Sequence, residues 1–463
     1  MSNYYLLFIP PETARQFISH TVPRFTFLHP TSHLQQDDRI LPVRTGVEAM
    51  ILPFIYTIAA TNRTAGNLTL ERTTILNRAC PLKELQLHDL HSNAQNDLQL
   101  TQERFEHIVQ QMGGPRVDEK VLLESIEKYI TARGYYFERE TLLNYHICLK
   151  TRPFVILSGL SGTGKSKLSQ LYAEALGHKN HYLRLSVRPN WSDDHYLLGY
   201  FNTITNTYMT APAVEFLLEA NTDEENLYLL CLDEMNLAHV EYYFSQFLSA
   251  MEEEPGERRI TLLSKSEQAQ MRGASANPSS LDAQVLKTGG VQITSNFFVT
   301  GTINVDETTQ PISDKVMDRA NTLEFFRVDL DKIPMPGKVP APMGLSASVW
   351  RSYQASSLDT SFRPQIVAIS QILNKADLGL GYRVLHEIEL YLANSAGLLY
   401  PLDAFDLQVK QRILPRVRGS ELISAMLNEL QKFLTDQKLE RSAQRLDEMK
   451  NRLKRDGYTT FWR

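Results

Sequence analysis

The chain has 463 residues, 43% of them hydrophobic, and a formal net charge of -5. That length suffices for roughly three domains and for burying about three quarters of the unfolded surface. The three cysteines, Cys80, Cys148 and Cys231, are far apart and form no C-x-x-C pair, so no disulfide framework or cysteine zinc site is indicated. A balance this close to neutral exerts no global pull on nucleic acid, so a DNA contact needs a local patch or an assembled ring.

The opening Met1 to Pro11 has neither a basic leader nor an apolar core long enough for secretion. The best candidate for a membrane span, Ala49 to Ala60, is short and contains Pro53. A cytoplasmic protein without a membrane partner is expected. Residues 1–110 carry short apolar runs broken by Pro, Asn and Thr, which predicts a small strand-rich module. Its arginines, Arg15, Arg24, Arg39, Arg44, Arg63, Arg72 and Arg78, are interleaved with acids and make no continuous phosphate-binding stripe. Its aromatics, Tyr4, Tyr5, Phe25, Phe27, Phe54 and Tyr56, either pack a core or stack a flipped base, and core packing is the reading favoured inside strand patterns.

Gly113-Gly114-Pro115 reads as a domain boundary. Beyond it, 111–150 forms a connector of two helices, Asp118 to Ala132 with Val121, Leu122, Ile126 and Tyr129-Ile130 on one side, then Glu138 to Lys150. From 151 to 328, apolar runs at Phe154–Leu157, Tyr182–Val187, Leu227–Leu232 and Phe297–Asn304 alternate with helical patterns, the rhythm of a parallel α/β sheet. Within this core Ser264 to Gly290 reads as a mobile surface loop. From 329 to 463 helical patterns dominate. Leu422, Met426, Leu430 and Leu434 recur at every fourth position, and Leu439, Leu446 and Leu453 at heptad spacing. These stripes are read as packing on the chain's own helical lid, with a partner helix as the alternative.

Gly159-Leu160-Ser161-Gly162-Thr163-Gly164-Lys165-Ser166 matches every fixed position of G-x-x-x-x-G-K-[ST] and lies between an apolar strand and a helix with Leu168, Leu171 and Ala175 on one face. Glycines at 159, 162 and 164 let successive backbone N–H groups point at one centre, and the positive end of the following helix adds to the field there. Gly159, Ser161, Gly162, Thr163, Gly164, Lys165 and Ser166 therefore form a candidate triphosphate cradle.

Such a loop needs a metal-holding carboxylate at a neighbouring strand end, and Leu229-Leu230-Cys231-Leu232-Asp233-Glu234 offers one. Asp233 would hold Mg²⁺ together with Ser166, and Glu234 would orient the attacking water. The competing reading is two acids that cap the next helix.

The string Leu232-Asp233-Glu234-Met235-Asn236-Leu237-Ala238-His239-Val240-Glu241-Tyr242-Tyr243-Phe244 is followed by Gly301-Thr302-Ile303-Asn304-Val305-Asp306-Glu307-Thr308-Thr309 and by Lys315-Val316-Met317-Asp318-Arg319-Ala320. This set resembles the McrB-type AAA+ motor family, the nucleotide-driven subunits of modification-dependent restriction systems. Arg188-Pro189-Asn190-Trp191, Leu197-Leu198-Gly199-Tyr200, Gly381-Tyr382-Arg383-Val384 and the closing Gly457-Tyr458-Thr459-Thr460-Phe461-Trp462 extend it from about Tyr135 to the C-terminus. Residues 1–110 lie outside it.

The resemblance implies an α/β AAA+ P-loop core with a parallel sheet and a C-terminal helical lid, beside the small strand-rich N-terminal domain that the apolar runs of residues 1–110 predict. It implies a homo-oligomeric ring, expected to be a hexamer, that hydrolyses GTP or ATP with Mg²⁺ and drives DNA for a separate, McrC-like nuclease subunit. Asn304 matches the γ-phosphate sensor. Arg319 matches the arginine presented to the neighbouring subunit's nucleotide, against a plain salt bridge to Asp318, Asp314 or Glu324. Arg383 either reaches the phosphates from the lid or makes a local pair. Best-known GTPases of the family carry Asn-Thr-Ala-Asp where this chain has Asn304-Val305-Asp306-Glu307, which places it in a wider McrB-like group. GTP is favoured on resemblance alone. A protein-remodelling chaperone of the MoxR or dynein-like type, driven by ATP, is the rival reading.

Overall fold

The computed structural model describes residues 4–9, 24–28, 34–44, 50–62, 67–76, 80–81, 97–112, 118–254, 256–274, 285–286, 288–305, 310–326 and 328–462. The Gly113–Pro115 boundary, the 306–309 end of the sensor string and the side chains of Phe25 and Phe27 lie outside the described residues. Two compact units partition the chain: Met1–Ser125 with Ala175–Gly177 and Ala341–Ser352, and Ile126–Glu174 with His178–Pro340 and Tyr353–Arg463.

In the first unit, β1 (Tyr4–Ile9), β2 (Arg24–Leu28), β3 (Arg39–Arg44), β4 (Met50–Ile51), β5 (Phe54–Asn62), β6 (Asn67–Ile75), β7 (Cys80–Pro81) and β8 (Asp97–Leu100) join one sheet. Its order is β2-β6-β5-β3-β1-β8, with β4 paired to β3 off this path and β7 paired to β4. β1 and β3 run parallel, and the other described pairs are antiparallel. Successive residues of β1 serve opposite faces: Tyr5, Leu7 and Ile9 join Ile40, Phe54 and Tyr56 in one core cluster, while Leu6 joins Leu41, Val43 and Leu100 in another. Helix α1 (Gln102–Gln111) covers the second face with Phe105 and Ile108. Tyr5, Phe54 and Tyr56 are thus core residues, and Tyr4 packs on the ring of Phe105 at 4.8 Å.

Helix α2 (Glu119–Ala132) buries Leu122, Leu123, Ile126, Tyr129 and Ile130, whereas Val121, expected on that face, is exposed. Helix α3 (Arg139–Thr151) buries nearly its whole length. The second unit is built on β9 (Phe154–Gly159), β10 (Tyr182–Ser186), β13 (Tyr228–Asp233), β16 (Phe297–Asn304) and β17 (Asn321–Phe325), in the order β10-β13-β16-β9-β17 and all parallel. The apolar runs of the inner strands β9 and β13, buried along their whole length, suit strands covered on both faces. Four of the five are the expected strands. β17 escaped the sequence reading because it is short and holds Asn321, Thr322 and Glu324 beside only two apolar residues, Leu323 and Phe325.

Helix α4 (Lys165–Ala175) follows β9. A short α5 (His195–Leu198) then leads into the antiparallel hairpin of β11 (Gly199–Asn202) and β12 (Thr207–Thr210). Helices α6 (Pro212–Thr222), α7 (Val240–Tyr243) and α8 (Ser245–Ala250) contribute Val214, Leu217, Tyr243, Phe244 and Phe247 to the same core as Phe154, Leu230, Leu232 and Phe297. Ser264–Gly290 corrects the loop expectation: α9 (Lys265–Ala274) lies within it, and Met271, Val285 and Leu286 are buried in that core. Residues 275–284 are outside the described set. The segment is also held by β14 (Arg259–Thr261) pairing with β15 (Gly290–Gln292).

Helix α10 (Asp314–Met317) precedes β17, and the C-terminal part carries α11 (Ala347–Tyr353), α12 (Arg363–Asn374), α13 (Tyr382–Ser395), α14 (Pro401–Gln408), α15 (Ser424–Asp436) and α16 (Glu440–Asp456). A two-stranded ribbon of β18 (Arg418–Ser420) and β19 (Tyr458–Thr460) closes it. Met426, Leu430 and Leu434 are buried on α15, as are Leu446 and Leu453 on α16 and Leu439 just before it. Leu422 precedes α15 in a 3-10 turn and is exposed, so the stripe begins one repeat later than its spacing predicts. Among the described residues no helix is long and apolar enough to cross a membrane.

Candidate functional site

Three parallel strands bring the motif residues to one edge of the central sheet. β9 ends at Gly159, opposite Asn304 at the end of β16, and β13 ends at Asp233 on the other side of β16. Ligands of open α/β sheets bind outside such carboxyl ends. A Cβ at Gly159 would lie 2.0 Å from the carbonyl oxygen of Phe325 on β17, so the loop must leave the sheet through glycine. Gly164 has φ +88 and would place a Cβ 3.3 Å from the Phe137 ring, which closes one side of the cradle. Lys165 is buried and donates to the carbonyls of Gly159 at 3.1 Å and Leu160 at 2.5 Å, so its ammonium lies within the loop it serves.

Ser166, the second residue of α4, donates its hydroxyl to Oδ1 of Asp233 at 2.5 Å. Thr302 donates to the same oxygen at 2.8 Å, and Arg184 on β10 donates to Oδ2 through Nε at 3.0 Å and through Nη2. Burial pushes the Asp233 carboxyl up, but the hydrogen bonds from Ser166, Thr302 and Arg184, with the guanidinium charge, outweigh it and hold the group below its ordinary value. A serine hydroxyl beside an ionised carboxylate is the hard-oxygen donor set that Mg²⁺ prefers. The residues present therefore fit a magnesium ion, held by Ser166 and Asp233.

Glu234 takes left-handed backbone angles, φ 55 and ψ 46, which a non-glycine residue adopts at a cost of about 1–3 kcal/mol. Its N–H is held by Thr302 Oγ1 at 2.9 Å, and its exposed carboxylate accepts from Asn304 Nδ2 at 3.3 Å. Asn236 locks the same strand end, donating to the Asn304 carbonyl at 2.8 Å and accepting its N–H at 3.2 Å. The acids do not serve as a helix cap, since no side-chain cap bond forms at Glu234.

Beside the loop, Thr163 opens into a cavity of about 810 Å³. Tyr136, Phe137, Phe325 and Phe326 form aromatic walls, and Glu324, Lys410 and Arg445 supply polar ones. Phe137 and Phe325 meet edge to face at 6.3 Å, and Lys410 and Arg445 pair with Glu324 at 2.8 and 3.0 Å.

Arg319 and Arg383 form a second group. Both contact Oε1 of Glu252, Arg383 at 2.8 Å. The three acids expected to compete for Arg319 are occupied elsewhere: Asp318 by Arg416, Asp314 by Arg418, and Glu324 as above. Sequence reading missed Thr302, Arg184, Asn236 and Glu252. Thr302 and Asn236 sit inside the quoted motifs, whereas nothing local marks Arg184 or Glu252.

A domain family of unknown function, DUF8727, matches residues 344–458. No curated protein sequence matches the chain. The fold is similar to a crystal structure described as a putative ATPase from Cytophaga hutchinsonii, at 13% identity over 68% of this chain and 93% of that one, with a TM-score of 0.44. A hypothetical protein from Leishmania major overlaps 24% of this chain and 95% of its own length at 9% identity and a TM-score of 0.19. Likenesses of this size define neither family nor activity.

Proposed function

We propose that the chain is a nucleoside-triphosphatase of the AAA+ type. The observation that carries this reading is the junction of Lys165, Ser166, Asp233, Glu234 and Asn304 at three adjacent strand ends, joined by hydrogen bonds from Ser166 to Asp233 and from Asn304 to Glu234. Gly159 to Ser166 would wrap the phosphates, with Lys165 turning from its own loop carbonyls to the β- and γ-oxygens. The nucleoside would extend past Thr163 into the aromatic cavity. Ser166 and Asp233 would hold a Mg²⁺ that supplies positive charge against the phosphates. Glu234 would hold a water through the carboxylate oxygens that Asn304 steers, and Asn304 would sense the γ-phosphate.

The finer reading is a McrB-like motor: a homo-oligomeric ring, hexameric by resemblance, in which Arg319 completes the neighbour's site and turnover drives DNA for a separate nuclease. What supports it is the run of motifs from Tyr135 to Trp462 together with the pairing of Arg319 and Arg383, two cations on one carboxylate. GTP is the favoured substrate on that resemblance and ATP the alternative.

Fluorescent GTP and ATP analogues titrated with Mg²⁺, followed by phosphate release, test the reading. Micromolar binding lost in Lys165→Ala is expected. Absence of binding by either nucleotide would end it, and turnover of ATP alone would shift it to a MoxR-like remodeller. Stimulation by DNA and a nuclease subunit, against stimulation by a protein assembly, separates those two.

A further inference from the structure

Arg184 stands in the middle of β10, an edge strand of the central sheet, in register with Cys231 of β13. Its guanidinium places Nε and Nη2 on one oxygen of Asp233 while Ser166 and Thr302 occupy the other. A carboxylate offers about four acceptor sites, and these four donors fill them. The Asp233 side chain is only 9% exposed and is gripped from both sides, whereas that of Arg184 is 47% exposed. Ser166 spends its proton on Asp233 and keeps its lone pairs for a metal.

Resting on the triphosphatase reading, we propose that Arg184 is a resident cation on the metal carboxylate that excludes free divalent ions until metal and triphosphate arrive together. A lone dication gains one carboxylate and must displace a charge-assisted pair of hydrogen bonds, with a guanidinium left close by. A metal–triphosphate complex brings its own negative charge, which offers Arg184 a new partner as it leaves. Arg184 is therefore a positioning residue that couples metal loading to nucleotide loading. A lysine would keep the charge without the forked geometry.

The test needs no turnover. Binding of Mn²⁺ alone to the full chain is followed by electron paramagnetic resonance without nucleotide. Arg184→Gln and Arg184→Met should bind Mn²⁺ at least about tenfold more tightly than the wild type, the low end of what one neighbouring cation does to a carboxylate's affinity for a proton. Arg184→Lys should stay near the wild type, because the charge remains. Adding Asp233→Asn to Arg184→Gln should abolish the gain. Equal Mn²⁺ affinity in the wild type and both uncharged variants, with unchanged melting temperature, overturns the proposal, as does a gain that survives Asp233→Asn. Nucleotide-analogue binding by the wild type is read separately: its absence refutes the triphosphatase, whereas its presence beside an unchanged Mn²⁺ affinity refutes only the role of Arg184.

Discussion

Arg319 and Arg383 close on the same oxygen of Glu252, one from just before β17 and the other from the first turn of α13. Two guanidinium groups thus share one carboxylate. Arg152 lies in the same field: burial first, then the charges of Arg412, Arg383 and Arg258, hold its guanidinium down at about 10 against the upward pull of Glu387. Guanidinium groups gathered in this way attract an anion that approaches them.

Arg319→Ala is accordingly expected to lower turnover by about 10³-fold or more, the scale on which an arginine supplied across an interface acts. Nucleotide-analogue affinity should stay within a few fold. Unchanged phosphate release in an assembled ring would remove Arg319 from the site and leave its bond to Glu252 as its whole role.

Glu234→Gln should reduce the rate constant for hydrolysis by about 10²- to 10⁴-fold, the usual worth of a positioned base. Binding should persist, because on the proposed reading the phosphates would be held by Gly159 to Ser166 and not by Glu234. Single-turnover phosphate release read beside analogue binding separates the two.

Gly159→Ala should destabilise the fold as well as empty the site. Its Cβ would press on the Phe325 carbonyl at 2.0 Å, and both residues belong to paired strands that cannot part without losing ladder bonds. A loss of about 1–3 kcal/mol is expected from overpacking of this kind. Urea midpoints for Gly159→Ala and for Gly162→Ala, where a Cβ meets open space, should differ, with Gly159→Ala the lower.

Arg412 is buried, donating to the carbonyls of Met317 at 3.1 Å, Asp318 at 3.0 Å and Ala320, and to Glu387. It thereby ties the π-turn Val409–Ile413 to the segment that carries Arg319. Arg412→Ala should cost about 3 kcal/mol or more, since three carbonyls lose their donor at roughly 1–3 kcal/mol each, while Glu387 keeps its pair with Arg152. Thermal melting checks this, and a fall of less than one degree would contradict it.

The glycine loop, the two acids at the end of β13 and four of the five central strands were legible because each is a local pattern: glycine spacing, an apolar run, a carboxylate at its end. The exposed Leu422 and Val121 show the limit of periodicity, which marks a stripe and not where a helix begins or which edge of the stripe meets the core. Ser264–Gly290 misled for a related reason, because a polar, small-residue composition conceals a few buried anchors such as Met271 and Leu286.

The sequence by itself determined that this chain has a glycine cradle, a lysine and a pair of acids suited to phosphate chemistry, since backbone freedom and side-chain charge are properties of short strings. Only the tertiary structure decided which cations those acids meet. Arg184 reaches Asp233 across 49 residues, and Glu252 gathers Arg319 and Arg383 across 67 and 131. Such pairings depend on the order of strands in a sheet and the docking of helices on it, and no local spacing encodes them.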